Sequence, residues 1–395
     1  MASTDSSPGP RWLDAWRRAH ARLWLGPPAG AIPSERYAAV IMKPDGIGDF
    51  ILALSAIRLV LRHYGEEHCA LLIAPSVVEL AQVEFPRATC IAVPPFSRHK
   101  RALSQWRPTR RRLAEVACET LVCLRHQRWD YHELMLSWVC CQRRLILDDA
   151  RAAAWTIGRN SFSYECAGRI AWSEPDPVSS LLAGGGCDCR ELRMHGHLVT
   201  AVVGARPAAE DMLPRFLQLA PPAPPSGTLI APLTAAAIKD LPVEWLEDLA
   251  RRKIFPAGQA VVLTGSRTQA AALEKYRRAL QRGGCADVQV ETAASLTGFV
   301  RRVAAAGLVL AADTATAHLA TALDRPTVVA MGGGHCGQFA PWRRSARQIW
   351  LTHRLDCFGC GWRCPYPAPY CLTRIVAEQV GAAVRAVLGR AEGAT

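Results

Sequence analysis

Two blocks of short apolar runs, each run followed by a longer amphipathic segment, constrain this chain more than any other feature. In the first block the runs are Ala38–Met42, Ala70–Ile73, Cys90–Val93 and Leu121–Leu124. Between the first two, residues 48–62 place Ile51, Leu54, Ile57, Val60 and Leu61 at helical spacing. Runs this short, bounded by helices, read as buried strands of a parallel sheet with helices on both faces. The second block repeats the pattern. Its strands are expected at Thr228–Ala231, Ala260–Thr264, Val288–Val290, Leu308–Ala312 and Thr327–Met331. Its helices are expected at Pro242–Lys253, Thr268–Arg282, Leu296–Ala306 and Ala315–Leu323, with a last one over Leu372–Leu388. Pro242 suits a first helical turn and Ser295 a helix cap. Between the blocks, Leu219–Gly227 carries four prolines. Such a segment is stiff and cannot sit inside a helix or a central strand, so it reads as the link between two domains. The expected organisation is an extension at 1–36, an α/β domain at 37–218, a linker at 219–227 and a second α/β domain at 228–395.

The composition suits two sizeable cores, with half of the 395 residues hydrophobic. No apolar stretch reaches the roughly 20 residues that span a bilayer, and the polar first ten residues lack the apolar core of a secretory signal. The expected location is the cytoplasm. A net charge of +13 calls for an acidic partner, which charge alone does not identify as nucleic acid, membrane surface or phosphorylated substrate. Arg98, Lys100, Arg101, Arg107, Arg110, Arg111 and Arg112 follow one another with no acid between them. They form either a solvated helix face or a docking strip for an anionic acceptor. Trp12, Trp16, Leu23 and Trp24 lie among arginines in a basic amphipathic helix. That helix either packs on its own domain or lies on a partner or a membrane.

Three motifs fall where strands hand over to helices, the positions at which α/β sheets bind ligands. In Lys43-Pro44-Asp45-Gly46-Ile47-Gly48-Asp49, Gly46 and Gly48 permit a tight turn and close approach to a ligand. Asp49 then stands in the first helical turn, where the helix dipole favours an ionised carboxylate or a simple cap. The third glycine of a dinucleotide fingerprint is missing. In Asp313-Thr314-Ala315-Thr316-Ala317-His318, a helix N-terminus suits phosphate, the two threonines add hydroxyls, and His318 follows one turn later. The other reading is an Asp cap and a core histidine. In Pro232 to Pro242, Thr234 and Lys239 lie in a loop after a first strand, and lysine is a mobile point charge suited to phosphate.

Taken in order, these segments resemble the family 9 glycosyltransferases, which include the lipopolysaccharide heptosyltransferases. The resemblance runs from about Tyr37 to Val387 and includes His195–Gly204 before the linker. It implies the GT-B fold, two facing Rossmann-like domains with no catalytic metal, and transfer with inversion from a nucleotide diphosphate sugar. ADP-heptose is the implied donor. A glycan, a lipid-linked glycan or a protein is the acceptor, and nucleic acid is not a partner. The protein would work in the cytoplasm, at the inner membrane face if the acceptor is lipid-linked. Asp49 is the implied base. Lys239 and Thr234 hold the diphosphate, Asp313 binds a sugar hydroxyl or caps the helix, and Thr314, Thr316, His318 and the Gly265 loop complete the donor site. Gly46 and Gly48 lie on the acceptor side. Two positions depart from the family: Ala315 replaces the usual Gly, and Ser266 and Arg267 follow Gly265 where a ribose-binding Glu is common.

Of fifteen cysteines, four fall together: Cys357, Cys360, Cys364 and Cys371. Without an export signal a disulfide framework is not expected. Four thiols this close suit tetrahedral zinc or iron in a structural role. The segment resembles the iron-holding cysteine finger of autotransporter heptosyltransferases. Two rivals remain at this level. One is a non-catalytic nucleotide- or glycan-binding module, and the other is a redox protein built on the cysteines.

Overall fold

The computed structural model describes residues 28, 30–94, 106–125, 130–149, 165–170, 189–219, 225–343 and 345–391. The tryptophan-rich segment near the N-terminus, Arg98 to Arg101 and the middle of the Pro-rich linker lie outside them. Among the described residues two parallel six-stranded sheets are formed, both with Rossmann-like strand order. The first contains β1 (Glu35–Lys43), β2 (Cys69–Ile73), β3 (Thr89–Ala92), β4 (Val116–Cys123), β5 (Cys140–Asp149) and β6 (Glu165–Ile170), in the order β3-β2-β1-β4-β5-β6. The second contains β7 (Ser226–Ala231), β8 (Val261–Gly265), β9 (Val288–Thr292), β10 (Ala306–Ala312), β11 (Thr327–Ala330) and β12 (Gln348–Leu351), in the order β12-β11-β10-β7-β8-β9. The two sheets are thus topological copies. The arrangement is the GT-B fold.

Central strands are apolar without interruption because helices cover both faces. All five residues of β2 are buried, as are the last five of β1. The first domain's helices are α1 (Ile47–Tyr64), α2 (Val78–Glu84), α3 (Arg107–Ala114), α4 (Asp130–Trp138) and α5 (Arg190–Val203). The second domain carries α6 (Val243–Arg251), α7 (Ala270–Arg282), α8 (Leu296–Ala304), α9 (Ala315–Ala322), the short α10 (Tyr370–Thr373) and α11 (Ala377–Ala391). The Ser295 side chain caps α8 by accepting from the Gly298 N–H at 3.1 Å. The single C-terminal helix expected from Leu372 is broken. Arg374–Val376 interrupt it, and the interruption lets Leu372 and Ile375 both enter the second domain's core alongside Val380, Val384 and Val387. Pro242 precedes α6 as its N-cap rather than occupying its first turn.

The domains are joined by more than the chain. One apolar cluster runs from Ile51, Leu54 and Leu198 in the first domain to Val300, Leu319 and Trp342 in the second. The first turn of α5 reaches across as well: the N–H groups of Arg190 and Glu191 donate to the carbonyls of Gly337 and Gln338 at 2.9 and 3.0 Å. The segment leading to the linker is clipped to the first domain. Ser55 donates to the Leu213 carbonyl and Arg58 to the Arg215 carbonyl. The buried carboxylate of Glu84 accepts the backbone N–H groups of Leu217 and Gln218, both at 3.1 Å.

Candidate active site

In each sheet the strand order reverses between two neighbours: β1 and β4 in the first, β7 and β10 in the second. Ligands of open α/β sheets bind outside the carboxyl ends of such strands. Here the two reversal points face each other across a cleft of about 820 Å³. Ile47, Gly48, Asp49 and Leu52 line it from α1, and Thr234, Lys239, Ser266, Asp313, Thr314 and His318 line it from the second domain.

On the first domain's side, Gly46 is the N-cap of α1 and Asp49 stands in the first turn. Burial pushes its carboxyl above the ordinary value and Glu191 adds to that, while Lys43 and, from across the cleft, Lys239 pull it down. Below it lies a buried ionic group that the motif's first residues build. Lys43 contacts Glu191 at 2.7 Å and Asp45 at 3.3 Å, and donates to the Leu124 carbonyl. Arg125, at the end of β4, pairs with Asp45. His195 on α5 lies 3.4 Å from Glu191 and 3.2 Å from the Leu124 carbonyl. Gly48 serves the domain interface. A Cβ there would lie 3.1 Å from the His318 ring and 3.7 Å from the Ala315 Cα, so a larger residue would press on the histidine where α1 and α9 approach.

On the other side, Lys239 donates to the Asp313 carboxylate at 2.9 Å, so its charge is held ready in the cleft by an acid that a diphosphate can displace. Asp313 does not cap α9. Thr314 does, its hydroxyl accepting from the Thr316 N–H at 3.1 Å. The loop after β7 is fixed by Asp240, which accepts from the Thr234 N–H at 2.7 Å, and by Gln269, which donates to the Thr234 carbonyl at 3.0 Å. Gln269 also accepts from the Ser266 N–H at 2.9 Å, which closes a Ser–Gln capping box at the mouth of this loop.

His318 is buried, and Trp342 donates its indole N–H to His318 Nδ1 at 2.9 Å. The imidazole proton is therefore on Nε2, and burial pushes the pKa down to about 4, so the ring is neutral above mildly acidic pH. His335, at the far end of the cleft, has the same arrangement. Its Nδ1 accepts from the Trp362 indole at 3.2 Å, and burial together with Lys239 pushes its pKa down. His318, His335, Lys239 and the Asp313 carboxylate thus line the cleft from one domain, and the Asp49 carboxylate lines it from the other.

Of the residues singled out in the sequence, Asp49, Gly48, Thr234, Lys239, Asp313, Thr314 and His318 come together. Thr316 does not: it is buried and absent from the cleft lining. Gly265 and Gly46 border the cleft without lining it, and Ser266, Thr268 and Gln269 take the place of Gly265. His335, Phe339 and Gln269 escaped the sequence reading because they follow no motif, and Trp342 and Trp362 because they act through a neighbour. Histidines beyond His318 in the same domain were the one signal available.

Cys357, Cys360, Cys364 and Cys371 are neighbours, and Cys357 and Cys371 are pushed up by partial burial and by the adjacent thiols. An all-thiol set suits a thiophilic cation. Yet among the described residues no three His, Cys, Asp or Glu side chains are gathered in metal-binding geometry. Cys364 instead lies 3.5 Å from the Ala368 carbonyl.

Residues 215–361 match glycosyltransferase family 9 (heptosyltransferase). No curated protein sequence matches the chain. Among solved structures, the ADP-heptose lipopolysaccharide heptosyltransferase II of E. coli is similar at 16% identity, over 90% of this chain and 99% of that one, with a TM-score of 0.61. A family 9 glycosyltransferase of Veillonella parvula is similar at 14% identity, over 91% and 99%, with a TM-score of 0.64. The E. coli heptosyltransferase WaaC, solved with ADP-2-deoxy-2-fluoro heptose, is similar at 17% identity, over 88% and 98%, with a TM-score of 0.59. At these identities the structures share a fold with this chain.

Proposed function

We infer that this chain is a glycosyltransferase of family 9 that moves a heptose from an ADP-linked donor to an acceptor hydroxyl, with inversion at the anomeric carbon. The observation that carries the reading is the pairing across one cleft of the first domain's carboxylate, Asp49, with the second domain's set of Lys239, held by Asp313, and Thr234, Thr314, His318 and His335. The donor belongs on the second domain. Its diphosphate lies beside Lys239 and the first turn of α9, where N–H groups and the helix dipole favour anions. Lys239 leaves Asp313 for the phosphate, and Asp313 becomes available to a sugar hydroxyl.

The acceptor enters from the first domain. As its oxygen attacks the anomeric carbon, its proton passes to the Asp49 carboxylate. The bond between that carbon and the phosphate oxygen breaks, and its electron pair stays on the phosphate. Lys239 and the neutral N–H of His318 meet the charge that develops there. Prearranged donors of this kind are worth about 3 kcal/mol each when aimed at developing charge. The raised pKa of Asp49 suits the role, because a more basic carboxylate is the better proton acceptor.

The net charge and the arginines of α3 favour an anionic acceptor, a glycan, a lipid-linked saccharide or a protein. A lipid-linked acceptor would bring the protein to the inner membrane face. The four clustered cysteines supply a donor set for a structural iron or zinc ion.

The test is a donor panel. Purified protein is incubated with ADP-heptose, ADP-glucose, UDP-glucose and GDP-mannose, and nucleotide release and product anomers are followed by mass spectrometry and NMR. Consumption of ADP-heptose with inverted product is expected. Consumption of another donor in its place, or of none, would overturn the reading.

A further inference from the structure

The cysteine segment is not remote from the cleft. Its aromatic residues lie flat on the loop Gly332-Gly333-Gly334, which leaves the carboxyl end of β11. A Cβ on Gly332 would come within 2.3 Å of the Trp362 ring, one on Gly333 within 2.2 Å of Phe358, and one on Gly334 within 2.6 Å of Trp362. Two backbone hydrogen bonds fasten the layers: Gly359 N–H to the Gly333 carbonyl at 2.9 Å, and Gly361 N–H to the Gly334 carbonyl at 3.0 Å. The turn that presents Trp362 is built from left-handed residues, Gly359 at φ +80°, Gly361 at φ +60° and Trp362 itself at φ +65°. For a bulky residue that backbone is unfavourable and persists only where the surroundings impose it.

What the turn achieves is the placement of one indole. The Lys239 ammonium sits 5.1 Å from the centre of the Trp362 ring. The same indole donates to His335 Nδ1 at 3.2 Å. The ring therefore meets two groups that line the cleft, one through its face and one through its edge. Lys239 is held at three points: the Asp313 carboxylate at 2.9 Å, the Asp313 carbonyl at 3.4 Å and the indole face. A diphosphate that draws the lysine from Asp313 leaves the indole contact as the one that does not compete with phosphate.

We propose that Trp362 is a positioning residue of the donor site, which keeps the Lys239 ammonium and the His335 imidazole aimed into the cleft and so makes the cysteine segment part of the substrate-binding apparatus. The proposal rests on the donor-site reading above as far as turnover is concerned, but its geometric content does not. It assigns the cysteine segment a task beyond the holding of a structural ion.

The experiment compares Trp362→Phe and Trp362→Leu with the unaltered protein. Phenylalanine keeps a ring face for the lysine and loses the N–H; leucine loses both. Three quantities are read: thermal stability, affinity for ADP by calorimetry, and the rate at which Lys239 is acetylated by dilute acetic anhydride, followed by peptide mass spectrometry. Losing a partly shielded cation–π contact corresponds to about a three- to tenfold change in affinity. Trp362→Leu should acetylate Lys239 several-fold faster and bind ADP about three- to tenfold more weakly, with Trp362→Phe between it and the parent in both. The ordering matters, because a merely structural role would move stability without ranking the lysine rates by ring face. Equal Lys239 reactivity in all three folded proteins would overturn the proposal, as would equal ADP affinity in variants that retain the parent's stability. If the parent itself binds no ADP, the donor-site reading fails, and the lysine rates still decide the role of Trp362.

Discussion

His318 offers the sharpest quantitative test of how the cleft is built. Its ring is enclosed by protein, one nitrogen is committed to Trp342, and its pKa falls from the ordinary 6.5 to about 4. Above pH 6.5 the residue is neutral in both the folded and the unfolded chain, and the depression has no effect on stability. As the pH falls, the unfolded chain takes up a proton that the folded chain refuses until about pH 4, so acid favours unfolding. Between pH 7 and pH 5 this one residue should remove about 2 kcal/mol of stability. The comparison is with His318→Gln, which can still accept from Trp342 and has no charge to gain. Urea unfolding of both proteins at pH 7 and pH 5 gives two differences. Other titrating groups contribute to both and cancel. The parent should lose about 2 kcal/mol more than the variant over that interval. Equal losses would mean that His318 is not held neutral by burial, and the assignment of its proton to Nε2 would fall with it.

The remaining expectations concern chemistry. Asp49→Asn should lower turnover by about 10²–10⁴ with ADP affinity nearly unchanged, and near-parental turnover would refute the base assignment. In the parent, kcat should rise with pH along a limb lying above the ordinary carboxylate range, because burial raises Asp49 and only its ionised form accepts the proton. Lys239→Ala should weaken ADP binding and turnover together, and calorimetry showing unchanged affinity would move the diphosphate elsewhere. Protein purified without chelators should carry about one iron or zinc per chain. Serine at Cys357, Cys360, Cys364 or Cys371 should release the ion and lower the melting temperature, and a metal-free protein of equal stability would remove the site.

The framework was legible because its signals are local. A strand buried on both faces must be an apolar run, so the positions of β1, β2, β7, β8 and β10 could be read directly. The handover points followed from them, and with them Asp49, Lys239 and the Asp313–His318 stretch. The less apolar edge strand β12 and the strands β5 and β6 carried weaker patterns and were not anticipated. The site's second tier was hidden for another reason. Trp342 and Trp362 lie 24 and 27 residues from the histidines they fix, and nothing in the intervening sequence marks the pairing. The forces on the Asp49 carboxyl were only partly visible: its helix position can be read in sequence, whereas the burial that pushes it up most, and Glu191 from a distant helix, come with the fold.

The notch at Gly48 bears on how such enzymes can be recombined. GT-B proteins invite modular engineering, with one half chosen for its acceptor and the other for its donor. Here the halves are keyed to each other: the absent side chain at 48 receives the His318 ring and leaves room for the backbone at Ala315. A hybrid that takes its first half from a relative with a larger residue at the position of Gly48 would press on the His318 ring and force the two halves apart beside Asp49. The residues at 48 and 318 should therefore be transplanted as a pair, and a hybrid's failure should be sought first at this junction rather than in either half's own core.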